Sequence, residues 1–544
     1  MRNRLLCLLL PFAFTCSALA LGADPDSAAA KCADLKQTAL PHAEITLAET
    51  VAAGSFVPPN LKKDEKVPHL YATTPTFCRV VATVKPSADS DIKVEVWLPT
   101  NGWNGRFRGQ GNGGFAGYIA YAGLAASVQQ GYATASTDTG HSTHDAKWAL
   151  DHPEKIVDYG YRAVHEMTVD AKSIVKAYYG YDAKRAYFAS CSNGGRQALM
   201  EAQRFPDDYD GIVAGAPANN WVPMLTGGLA FLQSIDQGGY IPPAKIPTIS
   251  KAVIAACDKN DGVMDGVLND PRECHFDPST LLCGGQESDS CLTAPQVNVL
   301  KTIYAGAKDA SGKQIFPGLL PGAEEGRGGW GTWIMGPEKG KSAGSFYVTG
   351  YFTNMVYSQA NWDFKTAKID DALKLAYEKT GKSLDSTDPD LKPFLKRGKL
   401  ILYHGWNDPG IAALNTVNYY NNVVESVGNK TVDESVRLYM VPGMQHCSGG
   451  PGATSFGQDE DAARSTADHD IFTSLVQWVE DGKAPSTIIA TKLNKSDAGD
   501  DAPRVEMTRP LCPYPQAAKY SGTGDQTLAA SFSCVTESNQ TGSN

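Results

Sequence analysis

The stretch from Ala186 to Met200 restricts the fold more than any other: a short apolar run, a corner of small residues at Ser190, Cys191 and Ser192, then Gly194 and Gly195 opening a helix-forming segment. A strand that turns sharply into a helix lifts the serine at the bend clear of the sheet and aims its hydroxyl at the helix N-terminus. Such corners usually read GxSxG, and here Ser190, itself small, stands where the first glycine would. Taken alone, a serine-glycine corner reads equally well as an ordinary turn.

Two later segments have the same form of a strand followed by a polar loop. Lys399 to Gly405 is strand-forming and runs into Asp408; Val436 to Val441 runs into His446. In chain order this gives Ser192, Asp408 and His446, the order found in α/β-hydrolases and not in the chymotrypsin or subtilisin folds. Serine is a weak nucleophile at neutral pH; a histidine takes its proton, and a carboxylate fixes the imidazole tautomer and stabilises the imidazolium. Cys191 directly precedes the serine and Cys447 directly follows the histidine. If Ser192 and His446 meet, these two cysteines come close enough to bridge.

These residues resemble the signature of the tannase and feruloyl esterase family, which also includes mono(hydroxyethyl) terephthalate hydrolase. Its Cys-Ser pair, Asp and His-Cys pair are matched by Cys191 with Ser192, by Asp408, and by His446 with Cys447, and Ser190 replaces the family's glycine. The resemblance runs through nearly the whole mature chain. It implies an α/β-hydrolase fold with a large inserted lid domain and a serine esterase acting on aromatic carboxylic esters, with Ser192 as nucleophile, His446 as base and Asp408 orienting it. Hydroxycinnamoyl esters of plant cell wall material are the first expectation for substrate, galloyl esters the second and a phthalate-type monoester the third. An inactive hydrolase fold serving as a binding module is the alternative from another class, and the intact triad argues against it.

The N-terminus has a charged start at Arg2 and Arg4, an apolar middle from Leu5 to Leu19 and an Ala-Leu-Ala end at Ala20. That is the pattern of a secretory signal peptide, too short for a membrane anchor, and it predicts cleavage after Ala20 and a secreted or periplasmic enzyme. Of twelve cysteines, Cys7 and Cys16 fall in this leader. The remaining ten are an even number in an exported chain, and no CxxC pair or histidine partner favours zinc. Family likeness and spacing suggest Cys32 with Cys78, Cys191 with Cys447, Cys257 with Cys274, Cys283 with Cys291, and Cys512 with Cys534. A net charge of -10 argues against nucleic acid or anionic membranes as partners. Two domains are expected: residues 21–218 with 392–544 as the catalytic domain, and 219–391, rich in Gly, Pro, Trp and Tyr, as the lid.

Gly109 to Gly117 contains a literal GxGxxG, with Asp138 near the spacing of a ribose contact. The preceding Arg106 to Arg108 reads as a poor buried strand, and an exported, disulfide-rich chain is a poor host for a diffusible nicotinamide cofactor. An esterase has another use for such a loop, since its backbone N–H groups can face the developing oxyanion. Asn193 together with Gly113 or Gly114 is the expected oxyanion hole. His141 and His144 lack a third ligand at useful spacing and read as solvated loop residues. A helix is expected from Tyr159 to Tyr178, with Val164, Met167, Val169 and Ile174 towards the core.

Between Cys257 and Cys274 the acidic residues at Asp258, Asp261 and Asp265 alternate with glycines, a spacing that can wrap oxygens around a hard cation. No glutamate stands at an EF-hand's twelfth position, and a solvated turn pinned by a disulfide is the alternative reading. The resemblance implies calcium here, with Asp258, Asp261 and Asp265 as carboxylate ligands and Val263 and Val267 as carbonyl ligands. It also implies that lid aromatics sandwich a substrate ring, with Trp333 as a candidate; Ile411, three residues past Asp408, is expected to line the acyl pocket from the other side.

Overall fold

The structure is a computed structural model that describes residues 25–59, 61–62, 65–458, 466–494 and 504–536. The expected leader, residues 1–20, and the polar tail lie outside them. Nine strands form the central sheet: β1 (Ala43–Val51), β2 (Phe77–Val84), β3 (Ile92–Pro99), β4 (Arg106–Gln110), β5 (Ala133–Thr137), β6 (Arg185–Cys191), β7 (Gly211–Gly215), β8 (Lys399–Gly405) and β9 (Val436–Val441). Their order is β1-β2-β3-β5-β4-β6-β7-β8-β9. β1, β2, β3 and β5 pair antiparallel, and from β5 onward every neighbour is parallel.

The sequence accounts for this division. β2 alternates buried and half-buried positions, as befits a strand covered on one face. β7 is buried at every residue and β8 at all but the first, because helices cover both faces there. Helix α1 (Ala163–Tyr179) buries Val164, Met167 and Ile174 as expected. Val169 is only half-buried, and Asp170 takes the inward position beside it.

The expectation of a poor strand at Arg106 to Arg108 is wrong: β4 lies in the middle of the sheet between β5 and β6. Its charged side chains find partners on helix α5 (Ile471–Asp481). Arg106 forms a two-pronged ion pair with Glu480 at 2.7 and 2.6 Å, and the Arg108 guanidinium lies 4.1 Å from the centre of the Phe472 ring.

Helix α2 (Asn193–Arg204) follows β6 directly. Between β7 and β8 the chain adds helices, including α3 (Trp221–Ser234) and α4 (Ala343–Tyr351), and one two-stranded pairing, Ala307–Lys308 with Gln314–Phe316. This segment builds most of a second apolar cluster, around Leu229, Val253, Leu300, Ile303 and Phe352, which also takes in Phe115, Tyr159 and Ile411 from outside it. The five cysteine pairs suggested from family likeness are the disulfides of the structure. Among the described residues no helix is long and apolar enough to cross a membrane.

Candidate active site

The corner after β6 has the backbone its sequence predicts. Ser192 takes φ 65° and ψ −125°, a conformation non-glycine residues rarely adopt, and α2 begins at the next residue. Its N–H donates to Gly215 O at 2.9 Å, which ties the bend to β7. Ser190 fits in place of glycine because the positions facing it are bare: a Cβ on Gly194 or Gly111 would collide with the Ser190 side chain.

The ends of β6, β8 and β9 bring the three expected side chains into one line. Ser192 Oγ lies 2.9 Å from His446 Nε2, and His446 Nδ1 lies 2.7 Å from Asp408 Oδ2. Asp408 is buried, and its Oδ1 accepts the N–H groups of Gly410 at 2.8 Å and Ile411 at 2.9 Å. Burial works to raise its carboxyl. The charge of His446 and hydrogen bonds from His404 and His446 outweigh that and hold it well below the usual carboxylate range. His404, which the sequence reading passed over, is fully buried on β8, with Nε2 3.2 Å from Asp408 Oδ2 and 3.0 Å from Ile411 O, and Nδ1 2.7 Å from Thr416 Oγ1. Its only sequence signal was a polar residue inside a buried strand. The Cys191–Cys447 disulfide joins the corner to the histidine loop.

Of the two glycines expected beside Asn193, the structure separates one from the other. Gly113 donates its N–H to Tyr118 Oη at 2.7 Å and has none to offer a substrate, whereas Gly114 lines the cavity beside Ser192 and Asn193. Tyr159 Oη sits 2.8 Å from Gly114 O and 3.1 Å from Asn193 Oδ1, bridging the two segments. Asn193 Nδ2 donates to Asn112 O, and the fully buried Arg196 donates to Asn193 Oδ1 at 2.9 Å. Of the two loop histidines, His144 is exposed as expected and His141 is not. His141 is buried with Nε2 2.6 Å from Phe115 O, and His144 Nδ1 lies 3.2 Å from Ala116 O, so both hold carbonyls of the glycine-rich loop. Burial, foremost, lowers the His141 pKa to about 4, which keeps the ring neutral. Neither contact was legible in spacing, because both cross from one loop to another.

A largely apolar cavity opens from Ser192 and His446 towards α3 and α4. Trp333 and Ile411 both line it, as expected, together with Leu225, Phe316 and Val348. The Trp333 ring stands edge-on to His446, with centres 4.6 Å apart.

The expected calcium loop offers hard oxygen donors. Asp258 Oδ1 accepts Gly266 N–H and Asp261 Oδ1 accepts Val263 N–H, both at 2.9 Å, while Asp265 Oδ2 pairs with Arg509 at 2.5 Å. Burial foremost, and the charges of the neighbouring aspartates, raise Asp258 and Asp261, the latter to about 6. Carboxylates that repel one another beside the Val263 and Val267 peptides fit a divalent cation chemically. Oxygens of the three do not all lie within 4.8 Å of one another, so seating one ion requires the carboxylates to draw together.

A mixed, mostly parallel sheet with a strained serine at a strand-to-helix corner, hydrogen-bonded to a histidine brought from the far strand, defines an α/β-hydrolase, and the chain is a carboxylic ester hydrolase. It belongs to the tannase and feruloyl esterase family, whose model matches residues 78–535. It is 39% identical to an uncharacterized esterase of Xanthomonas campestris pv. campestris, over 94% of this chain and 92% of that one. It is 34% identical to a probable feruloyl esterase B-1 of Aspergillus fumigatus, over 85% and 86%. The crystal structure of feruloyl esterase B from Aspergillus oryzae superposes with a TM-score of 0.84 at 30% identity, covering 93% of this chain and all of that one. A tannin acyl hydrolase from Aspergillus niger, at 24% identity and a TM-score of 0.72 over 93% and 95%, shares the fold.

Proposed function

We propose that the protein is an exported feruloyl esterase that releases hydroxycinnamic acids from plant cell wall esters through an acyl-enzyme on Ser192. Ser192 Oγ attacks the ester carbonyl as its proton passes to His446 Nε2, which then protonates the leaving alcohol. The N–H groups of Gly114 and Asn193 receive the oxyanion, and Asp408 holds His446 in the tautomer that accepts the proton. Water, deprotonated by His446, frees the acid and restores Ser192.

The observation that carries this reading is the line from Ser192 Oγ through His446 to Asp408, 2.9 and 2.7 Å, opening onto an apolar cavity. The wall of the cavity supports the choice of acid. Ser342 Oγ already accepts Ser345 N–H, and Ser345 Oγ already donates to Gly340 O. A galloyl ring would bury three hydroxyls against few free partners, whereas a feruloyl group buries one hydroxyl beside a methoxy group. No arginine or lysine is among the lining residues described, which disfavours a free terephthalate carboxylate.

In this reading residues 219–391 form a lid over the acyl site, with Trp333 and Ile411 facing the aromatic ring. One calcium ion is held by Asp258, Asp261 and Asp265 and by the carbonyls of Val263 and Val267; it supplies charge neutralisation and rigidity and takes no part in ester cleavage. The leader is removed after Ala20.

The test is hydrolysis of methyl ferulate, methyl gallate and mono(hydroxyethyl) terephthalate in parallel, with Ser192→Ala as control. Methyl ferulate turned over fastest, with activity lost in the control, is the expected result. Preference for gallate or the terephthalate monoester would overturn the substrate assignment, and activity surviving in the control would overturn the mechanism.

A further inference from the structure

Behind the elbow helix, on the face of the sheet where α1 packs, three potential ligands from three places in the chain converge. His165 comes from the first turn of α1, Glu201 from the last turn of α2 and Asp208 from the loop leading to β7. Among the described residues they form the one group of metal-ligating side chains whose donor atoms all lie within 4.8 Å of one another. His165 Nδ1 is 2.7 Å from Asp208 Oδ2, and its ring is stacked on Phe205 at 3.7 Å, which fixes the direction of the imidazole.

Glu201 makes the cluster more than a surface ion pair. It is 1% exposed, and apart from the Asp208 carboxyl no hydrogen-bonding group meets its carboxylate oxygens. Its charged neighbours are the Asp208 carboxylate and the Lys172 ammonium. Lys172 is committed to the Asp208 main-chain carbonyl and stays 3.9 Å from that residue's carboxylate. A buried carboxyl facing a second one that is only 13% exposed requires a positive centre between them, either a shared proton or a cation. A proton would satisfy the two carboxyl groups alone; the imidazole nitrogen held within the same reach is the third ligand that a metal uses.

We propose that His165, Glu201 and Asp208 bind one first-row divalent cation of the zinc type, at a site separate from the ester-cleaving residues and from the aspartate loop. One imidazole with two carboxylates suits zinc better than calcium, which takes oxygen ligands alone. The Asp208 and His165 side chains are 13% and 29% exposed, which leaves a route for the ion and room for water as a fourth ligand. The bound ion clamps α1 to the end of the elbow helix.

The experiment uses the full mature protein, stripped with chelator and dialysed against excess calcium to fill any calcium site, then titrated with zinc and, separately, with cobalt as a spectroscopic substitute. Wild type is expected to bind one equivalent more of zinc than His165→Gln or Glu201→Gln, and to give visible cobalt absorption that both variants lose. His165→Gln alters a partly exposed side chain and Glu201→Gln is isosteric, so both are expected to fold, with circular dichroism as the check. Equal zinc uptake by wild type and His165→Gln would show that a shared proton holds the carboxyl pair, and would overturn the proposal. Ester hydrolysis by Ser192 is measured in the same samples, so failure of the metal site and failure of the esterase reading are told apart.

Discussion

The Tyr159 hydroxyl lies at the junction of the two segments that supply the proposed oxyanion hole, 2.8 Å from Gly114 O and 3.1 Å from Asn193 Oδ1. Tyr159→Phe keeps the ring among Trp148 and Trp221 and removes only that bridge. Donors placed for the transition state act on kcat more than on ground-state binding. The expected outcome is a loss of roughly tenfold in kcat with little change in KM, measured by steady-state kinetics on methyl ferulate; a rise in KM at unchanged kcat would assign Tyr159 to the substrate pocket instead. Ser192, Asp408 and His446 were legible in the sequence because each ends a strand and the chemistry restricts its residue type. Tyr159, His404 and His141 were not, because each bonds a carbonyl or side chain that only the folded chain brings near.

The strands after β5 could be read from their apolar runs, and β4 could not, because Arg106 and Arg108 look like surface residues until Glu480 and Phe472 arrive from a helix far along the chain. The Cys191–Cys447 disulfide ties the ends of two such elements across a sequence separation of 256 residues. Replacing both cysteines by serine frees the histidine loop from the elbow. The expected result is a fall in kcat of roughly ten- to a hundredfold, with the Cys512 and Cys534 double serine variant, remote from Ser192, staying near wild type. Equal effects from both pairs would mean that the first acts through stability alone. Helix α1 offers a second test. Asp170 is fully buried on it, no donor meets either carboxylate oxygen, and burial, then the charge of Glu166, raises its pKa to about 7. The folded value lies above the unfolded one, so this group's contribution to stability is complete below about pH 4 and is lost as pH rises through 7. Between pH 5 and 7 the wild type should lose up to roughly 1.4 kcal/mol per pH unit relative to Asp170→Asn. Thermal unfolding across that range checks this, and parallel curves for the two proteins would refute it.

The inserted segment and the hydrolase sheet hold each other at the histidine. Gln445, one residue before His446, donates its side-chain amide to Ala323 O at 2.8 Å and Glu325 O at 2.7 Å, and Asn407, one before Asp408, donates to Pro321 O at 2.6 Å. The aspartate loop is fastened to the C-terminal strands: Asn269 donates to Ala518 O at 2.8 Å and Asp265 pairs with Arg509. The proposed ion would therefore stiffen the aspartate loop against the C-terminal strands, without touching substrate. Removing calcium with chelator should lower the unfolding temperature, by the equivalent of about 2.7 kcal/mol if calcium had stood a hundredfold above its Kd. Calcium should restore the temperature, and magnesium, which prefers a tighter octahedral shell, should restore little of it. Below the new unfolding temperature, kcat on methyl ferulate should fall less than stability does, because the triad's own hydrogen bonds remain. An unfolding temperature unmoved by chelation would leave Asp258 and Asp261 to their backbone partners and Asp265 to Arg509, and would remove calcium from the account of this fold.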